Sequence, residues 1–173
     1  MKRYIGLGIV FVLMGLVIWQ FVNEKDVKVS KENPESEGRA IVATDFTLPR
    51  LSGEDFTLSQ TRGKMTIINF WASWCGPCKM EAPHLQEFYE EYSDRVEIVA
   101  VNITSKDKPR DAATFAKQYG FTFPVLLDES GEVSTMYGAF VIPTTIFLNE
   151  KGEIIHEYAG PMEKKFMVDL LEL

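Results

Sequence analysis

The sequence predicts an α/β domain, a mixed central β-sheet with helices on both faces. Three observations predict it. Short apolar, β-branched runs alternate with segments of helical period. A hairpin with alternating polar and apolar residues opens this series, and a second hairpin lies near its end. The whole pattern fits between Thr44 and Leu173, about 130 residues, the size of one typical domain.

The elements follow in order. Asp45 to Leu48 and Asp55 to Leu58 alternate around Ser52-Gly53 and predict the opening hairpin. Met65 to Trp71 is a strongly apolar strand. Pro77 to Tyr92 is a helix, bent or restarted at Pro83, where the ring lacks an N–H donor. Val96 to Ile103 suits a buried parallel strand. Pro109 to Tyr119 is a helix with proline at its start and Gly120 as its stop. Val125 to Leu127 is a short strand and Gly131 to Tyr137 a short helix. Thr144 to Leu148 and Ile154 to Ala159 form the second hairpin, turning at Asn149-Glu150-Lys151-Gly152. Met162 to Leu173 closes the chain as a helix with Phe166, Leu170 and Leu173 on one stripe. Parallel crossovers in such a sheet are right-handed.

The N-terminus reads differently. Lys2 and Arg3 precede an uncharged run from Tyr4 to Val22. As a helix it rises about 28 Å, close to the hydrocarbon thickness of a bilayer. Trp19 stands near its outer end, where aromatic rings favour the interface. The alternative is a cleaved signal peptide, which has a shorter apolar stretch and a small-x-small site; Gln20 to Glu24 offers none. Residues 1–22 are therefore expected to be an uncleaved transmembrane anchor. The preceding positive charges keep the N-terminus cytoplasmic and place the rest outside the membrane. Residues 23–43 are polar and charged, with Pro34, Ser36 and Gly38 in the middle, and read as a tether. Residues 44–173 form the domain.

The chain has 18 basic and 25 acidic residues, a net charge of −7, and loses two of the basic ones with the N-terminus. An acidic exported part argues against nucleic acid as a partner and gives no attraction to anionic lipid.

Cys75 and Cys78 are the two cysteines of the chain. They lie in Trp74-Cys75-Gly76-Pro77-Cys78-Lys79, after the apolar strand and before the helical segment. A dithiol at a helix N-terminus meets unpaired N–H groups and a partial positive charge, which stabilise thiolate. Thiolate is the form that attacks disulfides. A structural zinc site needs four ligands, and His84 and His156 are not in finger spacing. A stapling disulfide usually closes a longer loop. The pair reads as a redox switch whose only redox group is its own disulfide, with no metal.

The run NFWASWCGPCKMEAP, Asn69 to Pro83, resembles the active-site strand and helix of thioredoxins. Ile142-Pro143-Thr144-Thr145 resembles the thioredoxin cis-proline loop. Within that superfamily the chain is similar to membrane-anchored extracytoplasmic thiol-disulfide oxidoreductases of the ResA and TlpA type. The anchor, the opening hairpin, an extra βα segment over roughly Phe121 to Tyr137, and Glu81 three residues after Cys78 carry that likeness. The resemblance implies a thioredoxin-like fold over residues 44–173.

It also implies roles. Cys75, at the exposed helix end, is expected to attack; Cys78, further inside, resolves the mixed disulfide. Thioredoxins place a buried aspartate where this chain has Asn69, which takes no proton. Members of the ResA type use a glutamate matching Glu81, which shares a helix face with Cys78. Partly buried, its carboxyl has a raised pKa, disfavours a Cys78 thiolate and exchanges a proton with it; the alternative is an exposed helix glutamate. Gly76 and Pro77 set the turn. Trp74 either shields the dithiol or packs in the core. Pro143 is expected to be cis, placing the Ile142 backbone beside Cys75 to bind a substrate strand. Lys79 is a solvated flank.

The activity implied is reduction of disulfides in exported proteins, such as the haem-binding cysteines of apocytochrome c, with re-reduction by a membrane electron donor of the CcdA type. Gly-Pro between the cysteines resembles reducing thioredoxins rather than the Pro-His pair of strong oxidants. Disulfide formation and spore assembly remain alternatives with the same chemistry. A Sco-type copper-binding factor is the alternative of another class; it wants Cys-x-x-x-Cys and a histidine at the site, whereas His156 falls in the terminal hairpin. A peroxiredoxin has threonine or serine where this chain has Ala72. The small acidic domain suggests a monomer.

Overall fold

A computed structural model describes residues 40–173, which form one compact unit. The expected anchor and most of the expected tether lie outside the described residues, and among the described residues no helix is long and apolar enough to cross a membrane.

Among the described residues seven strands and four α-helices follow in chain order: β1 (Thr47–Pro49), β2 (Asp55–Thr57), β3 (Met65–Trp71), α1 (Gly76–Tyr92), β4 (Val96–Asn102), α2 (Pro109–Gln118), β5 (Val125–Leu127), α3 (Glu132–Met136), β6 (Thr144–Leu148), β7 (Ile154–Ala159) and α4 (Lys164–Leu171). The main sheet has the order β5-β4-β3-β6-β7. β3, β4 and β5 pair in parallel, β6 pairs antiparallel to β3, and β7 pairs antiparallel to β6. This is the mixed sheet the sequence predicts.

β3 sits at its centre because it has no polar face. Ile67 and Trp71 join one core cluster with Leu85 and Phe88 of α1, Ala112 and Phe115 of α2, and Met167 and Leu171 of α4. Ile68 and Phe70 point the other way, into a cluster with Phe46, Leu48 and Phe56 of the opening hairpin and Val133 of α3. Side chains alternate across a strand, so a run with both parities buried demands cover on both faces.

Several boundaries differ from expectation, each for a local reason. The hairpin strands are shorter. Asp45 leaves the strand because its Oδ1 accepts from the N–H groups of Phe46 and Ser59, and Leu58 opens a 3-10 turn over Leu58–Thr61. α1 runs unbroken through Pro83. Along α4 the buried residues are Met167 and Leu171, while Phe166 and Leu170, with Leu173 just beyond the helix, cover the edge of the cluster. Ordered pairing begins before Thr44: Val42 bridges to Glu153, and the Ile154 N–H donates to the Ile41 carbonyl.

Candidate active site

β3 delivers the chain to the C-terminal edge of the sheet, and α1 begins there. Cys75 is the N-cap of α1, with extended backbone at φ −72° and ψ 116°. A side chain in that position reaches back over the first turn, and the Cys78 N–H donates to Cys75 Sγ at 3.1 Å. The sulfurs of Cys75 and Cys78 are bonded, with the Cα atoms 5.3 Å apart. Gly76 and Pro77 between them are exposed. Gly76 has open space where a Cβ would stand and no positive φ.

The sequence expects Cys75 to be the exposed sulfur. In this oxidised form it is not: both cysteines are 3% exposed. The two differ in their partners instead. Cys75 Sγ lies 3.7 Å from the Ile142 carbonyl oxygen and receives the helix N–H, whereas Cys78 is one turn inside the helix, on the buried face that also carries Glu81 and Ala82.

The Ile142-Pro143 peptide is cis. The loop is fixed from behind, since the Gly160 N–H donates to the Pro143 carbonyl at 2.8 Å. Among the described residues the Ile142 N–H makes no hydrogen bond, which leaves it available to another strand.

Glu81 is buried, 1% exposed, and not the surface helix residue of the alternative reading. Asn69 Nδ2 donates to its Oε2 at 2.9 Å and the Met162 N–H to its Oε1 at 3.2 Å. Burial disfavours the charged carboxylate and outweighs both hydrogen bonds, which pull the other way; the pKa rises to about 7. Asn69 also donates to Thr145 Oγ1 at 3.0 Å. In the sequence, Thr145 figures only as part of the cis-proline motif and Met162 only as the start of the last helix; neither is given a role at Glu81. The signal for Thr145 was its register: it stands opposite Asn69 across β3 and β6, two polar residues in apolar strands.

Trp74 is not in the core. It is 57% exposed, and its indole N–H donates to the Lys106 carbonyl at 2.8 Å. Ser73, Asn102 and Asp107, also missed from sequence, join the turn before Cys75 to the loop after β4. Lys79 is exposed. His156 packs against the rings of Phe147 and Phe166, the arrangement of a core-edge histidine rather than of a ligand beside the cysteines. Among the described residues no three histidine, cysteine or acidic side chains are grouped to hold a metal.

A dithiol at a helix N-terminus, a cis-proline loop against its first sulfur and a buried carboxyl beyond its second form a site for thiol-disulfide exchange. Residues 41–157 match the AhpC/TSA family. The chain belongs to that thioredoxin-like family. It is 37% identical over 132 residues to thiol-disulfide oxidoreductase ResA of Halalkalibacterium halodurans, covering 76% of this chain and 74% of that one. It is 37% identical over 158 residues to sporulation thiol-disulfide oxidoreductase A of Bacillus subtilis, covering 90% of each. The crystal structure of StoA from Bacillus subtilis superposes with a TM-score of 0.66 at 38% identity, over 75% of this chain and 98% of that one. The protein is a thiol-disulfide oxidoreductase with a thioredoxin-like fold.

Proposed function

We propose that this oxidoreductase works as a reductant on the outer side of the cell membrane, held there by residues 1–22. The observation that carries the direction is Glu81, a buried carboxyl with pKa about 7 on the same buried helix face as Cys78. Strong oxidants of this chemistry stabilise their reduced thiolate form. A carboxylate inside the site works against thiolate at Cys78, removes that stabilisation and favours donation of electrons.

In the reduced protein the Cys75 thiolate attacks a substrate disulfide. A Cys75–substrate bond forms and the first substrate thiolate leaves. Cys78 then gives its proton to Glu81 and attacks Cys75 Sγ. The internal disulfide forms, and the second substrate sulfur leaves with the electron pair. The free Ile142 N–H holds the substrate strand during both steps, with Trp74, Gly76, Pro77 and Pro143 around it. The substrates are exported proteins such as apocytochrome c, and a membrane donor of the CcdA type returns two electrons. A second reading, spore assembly, has support from the relative named for sporulation.

The reduction potential of the Cys75–Cys78 couple at neutral pH tests the direction. A value near or below about −250 mV is expected; one near about −120 mV, the range of the strong oxidant, overturns the reductant reading. Deletion of the gene separates the substrates. Loss of haem-stained cytochrome c, restored by dithiothreitol in the medium, supports the first reading; intact cytochromes with defective spores support the second.

A further inference from the structure

Asp107 lies outside the dithiol machinery, yet it is the most heavily bonded carboxylate near it. It ends a 3-10 turn over Thr104–Lys106 and precedes α2. Each of its oxygens takes two donors. Oδ2 accepts from the Ser73 N–H at 2.7 Å and from Asn102 Nδ2 at 2.9 Å. Oδ1 accepts from the Ser73 hydroxyl at 2.7 Å and the Lys108 N–H at 2.9 Å. The Lys108 bond is local, to the next residue, which is the N-cap of α2. The two bonds to Ser73 reach across to the turn that ends at Cys75. Asn102 is itself aimed, because its Oδ1 accepts from the Thr104 hydroxyl at 2.9 Å. Burial alone would push the Asp107 carboxyl up, but the four hydrogen bonds outweigh it and hold the group below its ordinary value.

The residue beside Asp107 completes the clamp. The Lys106 carbonyl accepts the Trp74 indole N–H at 2.8 Å. Trp74 is thus an exposed aromatic ring whose orientation is restrained by a hydrogen bond. A large apolar ring kept at the surface and restrained is a ready binding anchor, since less side-chain freedom is lost on association. The loop that meets Cys75 is also apolar at its surface: Phe140 and Val141 are 73% and 68% exposed and immediately precede Ile142, whose carbonyl oxygen lies 3.7 Å from Cys75 Sγ. Asp107 has no hydrogen bond to either cysteine.

We infer that Asp107 is a positioning residue: through Ser73 and the adjoining Lys106 carbonyl it restrains Trp74 as an apolar platform for the polypeptide that carries the substrate disulfide. This rests on attack by Cys75. Asp107 acts on the approach of a protein substrate and not on sulfur chemistry, so its loss discriminates by substrate size. Asparagine is a poor substitute, because its NH2 group must face at least one of the donors that the carboxylate accepts.

The experiment uses the reduced full chain and two oxidants, insulin as a protein disulfide and glutathione disulfide as a small one. Second-order rates are followed by rapid mixing. Asp107→Ala is expected to slow the reaction with insulin about tenfold and that with glutathione disulfide no more than about twofold. In a Trp74→Ala background the insulin loss disappears, because coupled residues are not additive. Should Asp107→Ala fail to fold, Ser73→Ala, which keeps the backbone bond, carries the same test with a smaller selective loss. Equal losses with both oxidants, no loss with either, or a full further loss on top of Trp74→Ala each overturn the proposal. A wild-type chain inert to both oxidants overturns the exchange reading itself, and the role of Asp107 with it.

Discussion

The two cysteines belong to different halves of the site. Cys78 faces an inner half made by regular elements: Glu81 on the same helix, Asn69 and Thr145 opposite each other on β3 and β6. All of these side chains are at most 3% exposed. Cys75 faces an outer half made by loops: Ser73 and Trp74 before it, Asp107 after β4, Ile142 at the cis-proline. The inner half uses low dielectric to place a carboxyl pKa near neutrality. The outer half uses hydrogen bonds to shape a partly exposed surface. On the proposed mechanism, one half governs where the proton goes and the other what approaches the sulfur.

The strongest way to break this division is at Cys75 itself. Cys75→Ser is expected to abolish disulfide reduction, while Cys78→Ser keeps the first step and accumulates a mixed disulfide with substrate, seen as an adduct on non-reducing gels. Activity retained by Cys75→Ser would move the attack to Cys78 and erase the distinction between the halves.

Glu81→Gln tests the inner half next. The carboxyl binds its proton more tightly folded than unfolded, so its contribution to stability is full below about pH 4.5 and is lost as pH rises through about 7. The difference between the ends of that window is on the order of 3 kcal/mol. Urea unfolding of the oxidised wild type should show this slope; Glu81→Gln should lack it. Its amide also faces two donors, Asn69 Nδ2 and the Met162 N–H, and satisfies only one, so some loss remains at every pH. In the reduced protein the thiol titration of Cys78 should shift. An unchanged slope and an unchanged titration would leave Glu81 a packing residue.

How much of each half was legible follows from its construction. A glutamate three residues after Cys78 falls on one helix face, and Asn69 in an apolar strand stands out without any coordinates. Thr145 needed the strand register. The outer half was largely hidden. Asp107 is 32 residues from Cys75 in sequence, in an otherwise ordinary polar loop, and only the fold brings it to Ser73. Trp74 carried two readings, and its exposure is set by that same loop. The exposure expected of Cys75 failed because a helix terminus is open in general, but here the cis-proline loop covers it.

Asn69→Ala sharpens the inner half with a smaller effect. The Asn69 hydrogen bond lowers the Glu81 pKa against the pull of burial. Its loss should move that pKa above 7 and extend the falling stability to higher pH. The buried Thr145 hydroxyl loses its donor as well, for a combined cost of about 1–3 kcal/mol. A pH slope that ends at the wild-type position would show that Asn69 supports only the sheet.

Gly76→Ala carries the smallest expected effect and tests the outer half at its closest point to the sulfurs. Outside the adjoining residues and the helix's own backbone, no heavy atom lies within 4 Å of the added methyl, and the backbone there needs no positive φ. Alanine at the first helical residue restricts the unfolded chain, so stability should hold or rise by about 0.5 kcal/mol. On the proposed mechanism a substrate strand lies across the open space beside Gly76. The methyl should then slow insulin by a few-fold and leave the reduction potential in place. A shift in potential without a change in insulin rate would mean that this stretch tunes the dithiol and does not touch the substrate, which would move Gly76 from the outer half to the inner one.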